Sequence, residues 1–442
     1  MLSREQLEAM RAEAGASEVD IPPWAVAWTE EEARLFFSSG GMEVPQLDAP
    51  TSAGADAARE LTAACEKLSL QYKEEIPLQG RVRRTALIGA GGTGLVYLAT
   101  HEATSQRLAL KRLHKARIAR FGTLGAQLAY REKEAYRVFS SPFICRCFGH
   151  FQDKLSLYMV LELCVYDLFQ LVEEEGGQYG ELPEPWTRFY AASVALGLRH
   201  IHRCGFVYRD LKLENIMVAA SGNIKLTDLG AAKKMDKSRT FTAIGTEEYI
   251  PPEVLRGHGR NAASDWWGLG ILVHELLMGR PPFEGREGAR DREGVMDDIH
   301  AFSKQGGAAR ESLRGSIVDA GGGGSTFEAV ADLVVSLLDE REPHRLGCNA
   351  AGFQSLQDHA WFAGFDWLKL LAQELPPPYV PRSILNKDIS ADVPPADLVP
   401  PPIEADVQAE FDAFGPMLEP TEDGSCFDVP PMPAVCAARA AR

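Results

Sequence analysis

Three polar residues in one short segment have the side chains needed to place a hydroxyl group beside a phosphate and a metal ion. Asp210, Lys212 and Asn215 lie between an apolar helical segment, 191–202, and the apolar run 216–218. A carboxylate there can accept or orient a hydroxyl proton, and an asparagine carbonyl can ligate Mg²⁺. Lys212 adds positive charge where a phosphate would lie. The segment therefore predicts phosphoryl-transfer chemistry.

A second carboxylate, in a predicted turn, is a candidate for the main metal ligand. Asp228 is followed by Leu229 and Gly230. An aspartate in such a place more often caps a helix or turn than binds a metal. Here Asp210 and Asn215 precede it, and Mg²⁺ takes few protein oxygens when phosphate oxygens complete its shell. We therefore predict that Asp228 and Asn215 hold Mg²⁺.

Lys111 is the candidate for direct binding to the phosphates of a nucleotide. It ends the apolar run 108–110, which predicts a buried strand that would hold the ammonium group near the α- and β-phosphates. Such a lysine needs a carboxylate to fix its position, and we assign Glu132, in the helical segment 128–139. A glutamate on a helix is usually a solvated charge, and Glu134 would face a different side of the same helix.

A glycine-rich segment precedes Lys111 and can cradle phosphates. Glycines lack a Cβ atom, so the backbone can fold tightly and present its N–H groups to an anion. The pattern alone is equally consistent with a dinucleotide fingerprint or a plain turn. The following residues, 95–99, are apolar without helical spacing, whereas a dinucleotide site requires a helix there. The predicted phosphate loop joins two strands and comprises Gly89, Ala90, Gly91, Gly92, Thr93 and Gly94.

Together these motifs resemble those of the eukaryotic protein kinases over about residues 82–362. Within that family, Tyr208 before Arg209 and Asp210, with the segments 157–162 and 240–246, resembles the AGC group of Ser/Thr kinases. The subfamily that the chain most resembles is the cGMP-dependent protein kinases, with the cAMP-dependent catalytic subunit next. The family resemblance is carried by 89–96, 108–111, 208–215, 228–230, 251–253 and 265–267, and the subfamily resemblance by 91–94, 132–133, 162–164 and 233–234.

The resemblance implies an α+β, bilobal protein kinase fold with flanking segments. The β-rich small lobe would span about 82–162 and the mainly helical large lobe about 163–362. Residues 1–75 would form an N-terminal extension that is partly helical or disordered. Residues 363–442 would form a proline-rich, AGC-type C-terminal tail.

The proline-rich tail is predicted to lack a packed core, and part of a polar stretch before it is predicted to be a flexible loop. The stretch 284–325 contains a predicted flexible loop, with helical structure resuming over 327–339. The tail holds about half of the chain's 27 prolines and is expected to lie over the kinase as extended chain. Within it, 411–414 resembles a nucleotide-site tether of the AGC group, and an ordinary aromatic pair in an unstructured tail is the alternative. We recognise no terminal aromatic docking motif.

The resemblance also implies an ATP site at the hinge between the lobes. Backbone groups of Glu162 and Cys164 would contact adenine, with Leu161 behind it, and Asp167 would lie near the ribose. The adenine ring would be sandwiched by Val96, Ala109 and Met217.

Substrate recognition is the next implication of the resemblance. Glu214, Glu275 and Asp167 match carboxylates that face the peptide, so Arg or Lys is expected upstream of the target Ser or Thr. Thr246 resembles the threonine that tethers Asp210.

Two further pairings concern regulation and stability. Thr242 aligns with the activation-segment threonine, and a phosphate there would carry close to two negative charges for Arg209 to bind. Glu253 would form a buried ion pair with Arg345, and removal of one partner of such a pair is strongly destabilising.

Composition limits the expected partners and compartment. The net charge of −16 argues against standing nucleic-acid binding, which needs clustered Lys and Arg, and favours basic peptides. No apolar stretch reaches membrane-spanning length. The eight cysteines are scattered, with only Cys145 and Cys147 close together, which fits reduced thiols and a cytoplasmic location, with the nucleus left open as a second one. No cyclic-nucleotide-binding domain is visible, so we expect no direct response to cGMP and leave open a separate regulatory protein.

The sequence thus predicts an active Ser/Thr protein kinase that uses ATP and Mg²⁺. The alternative from another class is a pseudokinase or scaffold that binds nucleotide and partners without turnover, and it predicts the loss of a catalytic group. A third interpretation, a kinase-like enzyme acting on small molecules, is disfavoured by the peptide-docking segment formed by Thr246 and 251–253.

Overall fold

The computed structural model describes residues 8, 9, 12, 60–68, 79–91, 94–235, 239–240, 246–285, 292–349, 351–381, 403–421 and 425–430. The chain divides into two compact units. Unit 1 comprises 1–63, 205–209 and 234–365, and unit 2 comprises 64–204, 210–233 and 366–442. Gly92, Thr93 and Thr242, which carry predicted roles, lie outside the described residues, as does most of the N-terminal extension. The described residues of that extension, 8, 9, 12 and 60–68, are helical.

The strands and helices follow one another in the order expected for a β-rich part and then a helical part. The strands are β1 (Gly80–Ala90), β2 (Gly94–His101), β3 (Gln106–His114), β4 (Cys147–Gln152), β5 (Ser156–Glu162), β6 (Cys164–Asp167), β7 (Phe206–Val207), β8 (Ile216–Ala219), β9 (Ile224–Leu226), β10 (Lys233–Lys234) and β11 (Cys426–Val429). The α-helices are α1 (Lys115–Ala119), α2 (Thr123–Val138), α3 (Leu168–Glu175), α4 (Glu184–Arg203), α5 (Pro252–Leu255), α6 (Ala262–Met278), α7 (Arg292–Gln305), α8 (Gly307–Ala320), α9 (Ser325–Leu337), α10 (Phe353–Gln357), α11 (Trp367–Leu371) and α12 (Ala405–Ala409). The predicted α+β class is confirmed.

Unit 2 contains a six-stranded antiparallel sheet in the order β11-β1-β2-β3-β5-β4. Side chains alternate between the two faces of a strand, and in β3 Leu108 and Leu110 enter the core. Ala109 and Lys111 therefore point to the opposite face. The core face is lined by Val82, Leu87, Leu95, Tyr97, Ala99, Leu108, Leu110, Phe151, Tyr158, Val160, Phe427 and Val429.

Helix α2 supplies the predicted partner of Lys111. It is built largely from good helix formers such as Ala, Leu, Glu and Arg. Its buried residues Ala129, Glu132, Ala135 and Tyr136 recur at helical spacing and so form one face. A charged residue thus lies on the packed side of the helix, which sets Glu132 apart from the exposed Glu134.

Helix α4 and strand β9 support the segment that carries Asp228. Gly197 of α4 packs against Leu226 at the end of β9, where a Cβ atom would lie 2.8 Å from a Leu226 side-chain carbon. The absence of a side chain at this position therefore lets the helix approach the strand closely. The strand then delivers Asp228 two residues later.

The C-terminal tail contributes to the core of unit 2, which the sequence analysis did not expect. Helix α12 and strand β11 form within it. Phe411, Phe414 and Phe427 are almost fully buried. The prediction of a core-free extended tail was therefore wrong for 403–421 and 425–430, because single aromatic residues between prolines and polar residues pack against partners far away in the sequence. The alternative of an unstructured aromatic pair is wrong as well.

Unit 1 is mainly helical around α6, whose residues 263–274 are buried on all sides. Within the stretch 284–325, part of which was predicted to be a flexible loop, two helices that the sequence analysis did not predict are present, α7 and α8. Val295, Ile299 and Phe302 recur at helical spacing and are buried, but polar neighbours obscured that pattern. The predicted helix over 327–339 is confirmed by α9.

The buried ion pair predicted for unit 1 is present. Arg345 donates to Glu253 through Nη1 at 2.8 Å and through Nη2 at 3.0 Å. Arg345 is fully buried and also donates to the carbonyl oxygens of Asp339 and Ala263. None of the helices in the described part of the chain has the length and apolarity needed to cross a membrane.

Candidate active site

Lys111 joins two carboxylates that come from distant parts of unit 2. Its Nζ atom lies 2.7 Å from Oε1 of Glu132, on α2, and 3.1 Å from Oδ1 of Asp228, after β9. The Glu132 side chain is only 4% exposed, whereas that of Asp228 is 52% exposed. The buried carboxylate can therefore fix the lysine, and the exposed one remains accessible to a ligand.

The charges of these three groups depend on one another. Burial disfavours the ammonium form of Lys111, but the nearby Asp228 and Glu132 outweigh burial and raise its pKa. Lys111 in turn holds the pKa of Asp228 below its usual value. Burial raises the pKa of Glu132, although Lys111 opposes that shift. At neutral pH the site thus offers a charged lysine and an ionised Asp228.

The segment that contains Asp210 is held by its own asparagine. Nδ2 of Asn215 donates to the backbone oxygen and to Oδ2 of Asp210, each at 2.8 Å. Because the amide nitrogen is used in this way, the amide oxygen is the atom that Asn215 can offer to a cation. Lys212 Nζ lies 3.8 Å from Oδ2 of Asp210 and also helps to lower the pKa of Asp228. The structure therefore brings Lys212 electrostatically close to both aspartates.

Asp228 has an unusual backbone conformation. Its φ of 50° and ψ of 62° lie in the left-handed region, which aspartate enters more readily than most residues other than glycine. The 3₁₀ turn Leu229–Ala231 follows directly, and the Leu229 side chain is fully buried. The chain therefore turns sharply at Asp228 and is anchored by the next residue.

The predicted phosphate loop closes the β1–β2 hairpin. Gly91 N donates to Gly94 O at 2.9 Å. At Gly94 a Cβ atom would lie 2.0 Å from the Arg112 carbonyl oxygen, so only glycine allows β2 to approach β3 this closely. Gly89 and Ala90 end β1.

Several predicted adenine-binding residues share the sheet face that carries Lys111. Cross-strand partners point to the same face of a sheet, and Lys111 is paired with Val96. Ala109 is paired with Leu161 and lies two positions before Lys111 in β3, so both belong to this face.

The remaining predicted nucleotide-binding residues lie on β5, β6 and β8. Met217 of β8 pairs with Asp167 of β6, and Cys164 lies in β6. The backbone N–H of Glu162 donates to Arg146 O at 2.8 Å. Asp167 caps α3 by accepting a hydrogen bond from Gln170 N at 2.8 Å.

Lys225 is a residue near this site that the sequence analysis missed. It is 4% exposed, and its Nζ lies 3.0 Å from Oε1 of Glu162. The other carboxylate oxygen accepts the Arg146 N–H at 3.3 Å. The carboxylate of Glu162 is thus held by two donors. A lysine between Ile224 and Leu226, two apolar residues of β9, was the signal in the sequence.

The predicted substrate-binding residues fall in both units. Glu214 is exposed in the 3₁₀ turn Leu213–Asn215 of unit 2. Burial raises the pKa of Asp167, and the charge of Glu214 adds to that effect. In unit 1, Glu275 accepts a hydrogen bond from the Tyr249 hydroxyl. Thr246, also in unit 1, is half-buried, and its role as a tether stays a prediction.

Arg209 is buried in unit 1 and has several fixed partners. Its backbone N–H donates to Oδ1 of Asp265 at 2.9 Å, and its Nη1 donates to Oγ1 of Thr240 at 3.2 Å. Its backbone oxygen accepts from Arg260 Nη1 at 2.7 Å. The predicted partnership with a phosphate on Thr242 stays a prediction.

The described residues of unit 2 fit a nucleotide with a divalent cation. Lys111 offers a fixed positive charge, and Asp228 and Asn215 offer oxygen donors. Two protein ligands are sufficient for Mg²⁺ when phosphate oxygens supply further ligands of the ion. Among the described residues, no cluster of three or more His, Cys, Asp or Glu side chains could hold a metal ion.

Comparison with known proteins agrees with this geometry. The family described as "Protein kinase domain" matches residues 82–362. A "cAMP-dependent protein kinase, catalytic subunit-like" protein of Caenorhabditis elegans is 32% identical over 316 residues, which cover 71% of this chain and 73% of the relative. A "cGMP-dependent protein kinase, isozyme 2 forms cD5/T2" of Drosophila melanogaster is 33% identical over 326 residues, 73% of this chain and 32% of the relative.

A third relative has a similar sequence identity to the chain over a region of similar length. The "cGMP-dependent protein kinase egl-4" of Caenorhabditis briggsae is 34% identical over 324 residues, which cover 72% of this chain and 40% of the relative. The matched region thus spans most of the cAMP-dependent relative but less than half the length of these two cGMP-dependent ones. The resemblance to both kinds of kinase is confirmed.

Proposed function

Because the chain belongs to the protein kinase family, as a Ser/Thr protein kinase, we propose that it transfers the γ-phosphoryl group of ATP, with Mg²⁺, to Ser or Thr of basic proteins. The observation that supports this most is the contact of Lys111 with both Glu132 and Asp228. That arrangement combines a fixed cation for phosphate with an exposed carboxylate for a metal. Phosphoryl transfer depends on such positioning and charge stabilisation more than on covalent chemistry by the protein.

Each polar residue of the site has one task in this proposal. Lys111 binds the α- and β-phosphates, and Glu132 orients Lys111. Asp210 orients the substrate hydroxyl and takes its proton. Asp228 and Asn215 would hold Mg²⁺, which supplies positive charge to the phosphate oxygens.

The preference for basic substrates rests on charge. The carboxylate of Glu214 lies close enough to Asp167 in unit 2 to help raise the pKa of Asp167. Together with the net charge of −16, these two residues favour a cationic peptide. Glu275 completes the proposed set. A catalytically inactive scaffold would be expected to lack one of the five groups Lys111, Glu132, Asp210, Asn215 and Asp228, and all five are present.

The test is transfer of labelled phosphate from ATP to two Ser peptides that differ only in having Arg or Glu upstream of the Ser. We expect transfer to the Arg peptide, much less to the Glu peptide, and none when EDTA removes Mg²⁺. No transfer to any Ser or Thr peptide would overturn the kinase proposal, and equal transfer to both peptides would overturn the basic-substrate part. Addition of cGMP or cAMP to the purified chain should leave the rate unchanged.

A further inference from the structure

Strand β11 occupies the outer edge of the sheet next to β1. Four residue pairs form the antiparallel register, from Gly80 with Val429 to Arg83 with Cys426. Arg84 N donates to Ser425 O at 2.7 Å. Without β11, β1 would be an edge strand with unpaired N–H and C=O groups, which readily pair with another extended segment. Backbone pairing of this kind accounts for the position of the segment.

The side chains of β11 add selectivity to that backbone pairing. The ring of Phe427 lies 4.9 Å, between centroids, from both Phe151 and Tyr158, which are stacked at 4.8 Å. Val429 is also buried, whereas the Asp428 side chain between them is 81% exposed. An edge that pairs with backbone and holds alternate side chains in pockets has the form of a β-strand docking site.

The preceding part of the tail contacts helix α2. Phe414 meets the rings of Tyr130 and His150 edge to face at 5.9 Å each. Lys133, next to Glu132 on α2, donates to Ala413 O at 3.0 Å and also to Phe414 O. The carboxylate that fixes Lys111 is therefore adjacent to a tail contact.

Strand β4 provides a second set of contacts with this part of the tail. Nε2 of Gln152 donates to Phe411 O at 2.9 Å and to Gly415 O at 3.0 Å. The backbone of Gln152 pairs with Pro416 and Leu418. The segment 411–418 and β11 are thus two anchors on one chain, joined by a linker of about six residues.

We infer that the outer edge of β1, with the apolar pocket that Phe151 and Tyr158 help to form, is a docking site for an extended aromatic segment. Its occupant is the chain's own segment 425–430, which keeps Phe411 and Phe414 seated against α2. A short linker holds a second anchor at an effective concentration of about millimolar, so each anchor strengthens the other. The docking itself does not rest on the proposed kinase function.

The first test uses a fluorescent peptide with the sequence of residues 424–431 and the full-length chain under reducing conditions. Phe427→Asp places a charge in the apolar pocket and should release the segment, while Asp428→Asn is the matched control on the exposed side of the same strand. Peptide anisotropy should show saturable binding to the Phe427→Asp chain and none to the wild type or control. Equal binding to all three chains, or no binding to any, would overturn the docking site.

A second measurement does not depend on the folding of the Phe427→Asp chain. Arg83 and Cys426 are directly opposite each other and face the same side, so Arg83→Cys should form a disulfide with Cys426 under mild oxidation. In the control Arg81→Cys, the opposite residue is Asp428, and the same bond should not form. If peptide mapping finds no such link in Arg83→Cys, β11 is not docked in solution.

The link between the anchors is tested by hydrogen exchange. In Phe427→Asp, amides of 407–418 and of α2 should exchange about tenfold faster or more, since the linked anchor is lost. Unchanged exchange there, with peptide binding as expected, would show two independent anchors and overturn the coupling. None of these readouts requires phosphate transfer, so failure of the docking inference is distinct from failure of the kinase proposal.

Discussion

At the residue scale, the two carboxylates that contact Lys111 differ in exposure and so in task. Glu132 is buried on α2, whereas half of the Asp228 side chain is accessible. A buried, charge-assisted hydrogen bond fixes a side chain more firmly than an exposed one. We therefore propose that Glu132 positions Lys111 and that Asp228 is the carboxylate that contacts the ligand.

Glu132→Gln tests that division. The change keeps the shape of the side chain but removes the charge that holds Lys111. A hydrogen bond to a charged group is worth about 1.5–3 kcal/mol, so we expect kcat/KM to fall about 10- to 100-fold. Steady-state kinetics with a basic Ser peptide would measure this. The matched control is Glu134→Gln, whose carboxylate is exposed, and an equal loss in both variants would contradict the assignment.

The second prediction concerns Lys225 and distinguishes an effect on ATP binding from an effect on phosphate transfer. Its ammonium group fixes the Glu162 carboxylate at the predicted adenine-binding segment. Lys225→Met should therefore raise KM for ATP by about 3- to 10-fold, the loss of one modest interaction, and leave kcat within about twofold.

Lys225→Arg is the conservative control for this prediction. It retains the positive charge and should restore most of the affinity for ATP. A fall in kcat at unchanged KM would show that Lys225 does not act through the nucleotide-binding segment. Thermal unfolding of both variants would identify a purely structural loss.

At the scale of elements, the stability of the contact between the tail, α2 and β4 is expected to depend on pH. His150 of β4 lies against Phe414, and burial lowers its pKa to about 4, with Lys133 and Arg137 adding to the effect. The folded-state pKa is thus below the usual value of about 6.5. The stabilisation from neutral His150 is complete above pH ~6.5 and is lost as the pH falls towards about 4.

The corresponding prediction concerns thermal stability between pH 7 and about 4.5. The Tm of the wild type should decrease across this interval more than that of His150→Gln, which cannot take up the proton. His274 is also buried and has a lowered pKa, about 4, but it is present in both chains and cancels in the comparison. The control His258→Gln changes an exposed histidine. Parallel curves for the wild type and His150→Gln would contradict the prediction.

Elements differed in how well the sequence predicted them. The strand-to-strand glycine loop followed from the apolar run after it, and α9 followed from its spacing of apolar residues. Helices α7 and α8 were missed because polar residues outnumber Val295, Ile299 and Phe302 in that region. Strand β11 has only four residues among prolines, and its partner β1 lies more than 300 residues away. Local patterns carry no information about such a pairing.

At the scale of the whole molecule, a site in unit 2 is assembled from residues distant in sequence. The loop with Asp210, strand β3 and helix α2 each supply a group, and the sequence analysis named Lys111, Glu132 and Asp228 before any geometry. The ion pair of Lys225 with Glu162 could not be predicted, since it depends on which face of β9 packs against the sheet. The sequence motifs therefore predicted the residues of the site better than they predicted the ion pairs that hold those residues in place.

We propose that this site transfers phosphate and that Asp210 is the group that takes the substrate proton. The most direct measurement is single-turnover transfer from labelled MgATP to an Arg-rich Ser peptide by wild type and Asp210→Asn, with nucleotide affinity measured in parallel. We predict unchanged MgATP binding and transfer slower by about 10²- to 10⁴-fold in Asp210→Asn. Equal transfer rates for the two chains would contradict the account.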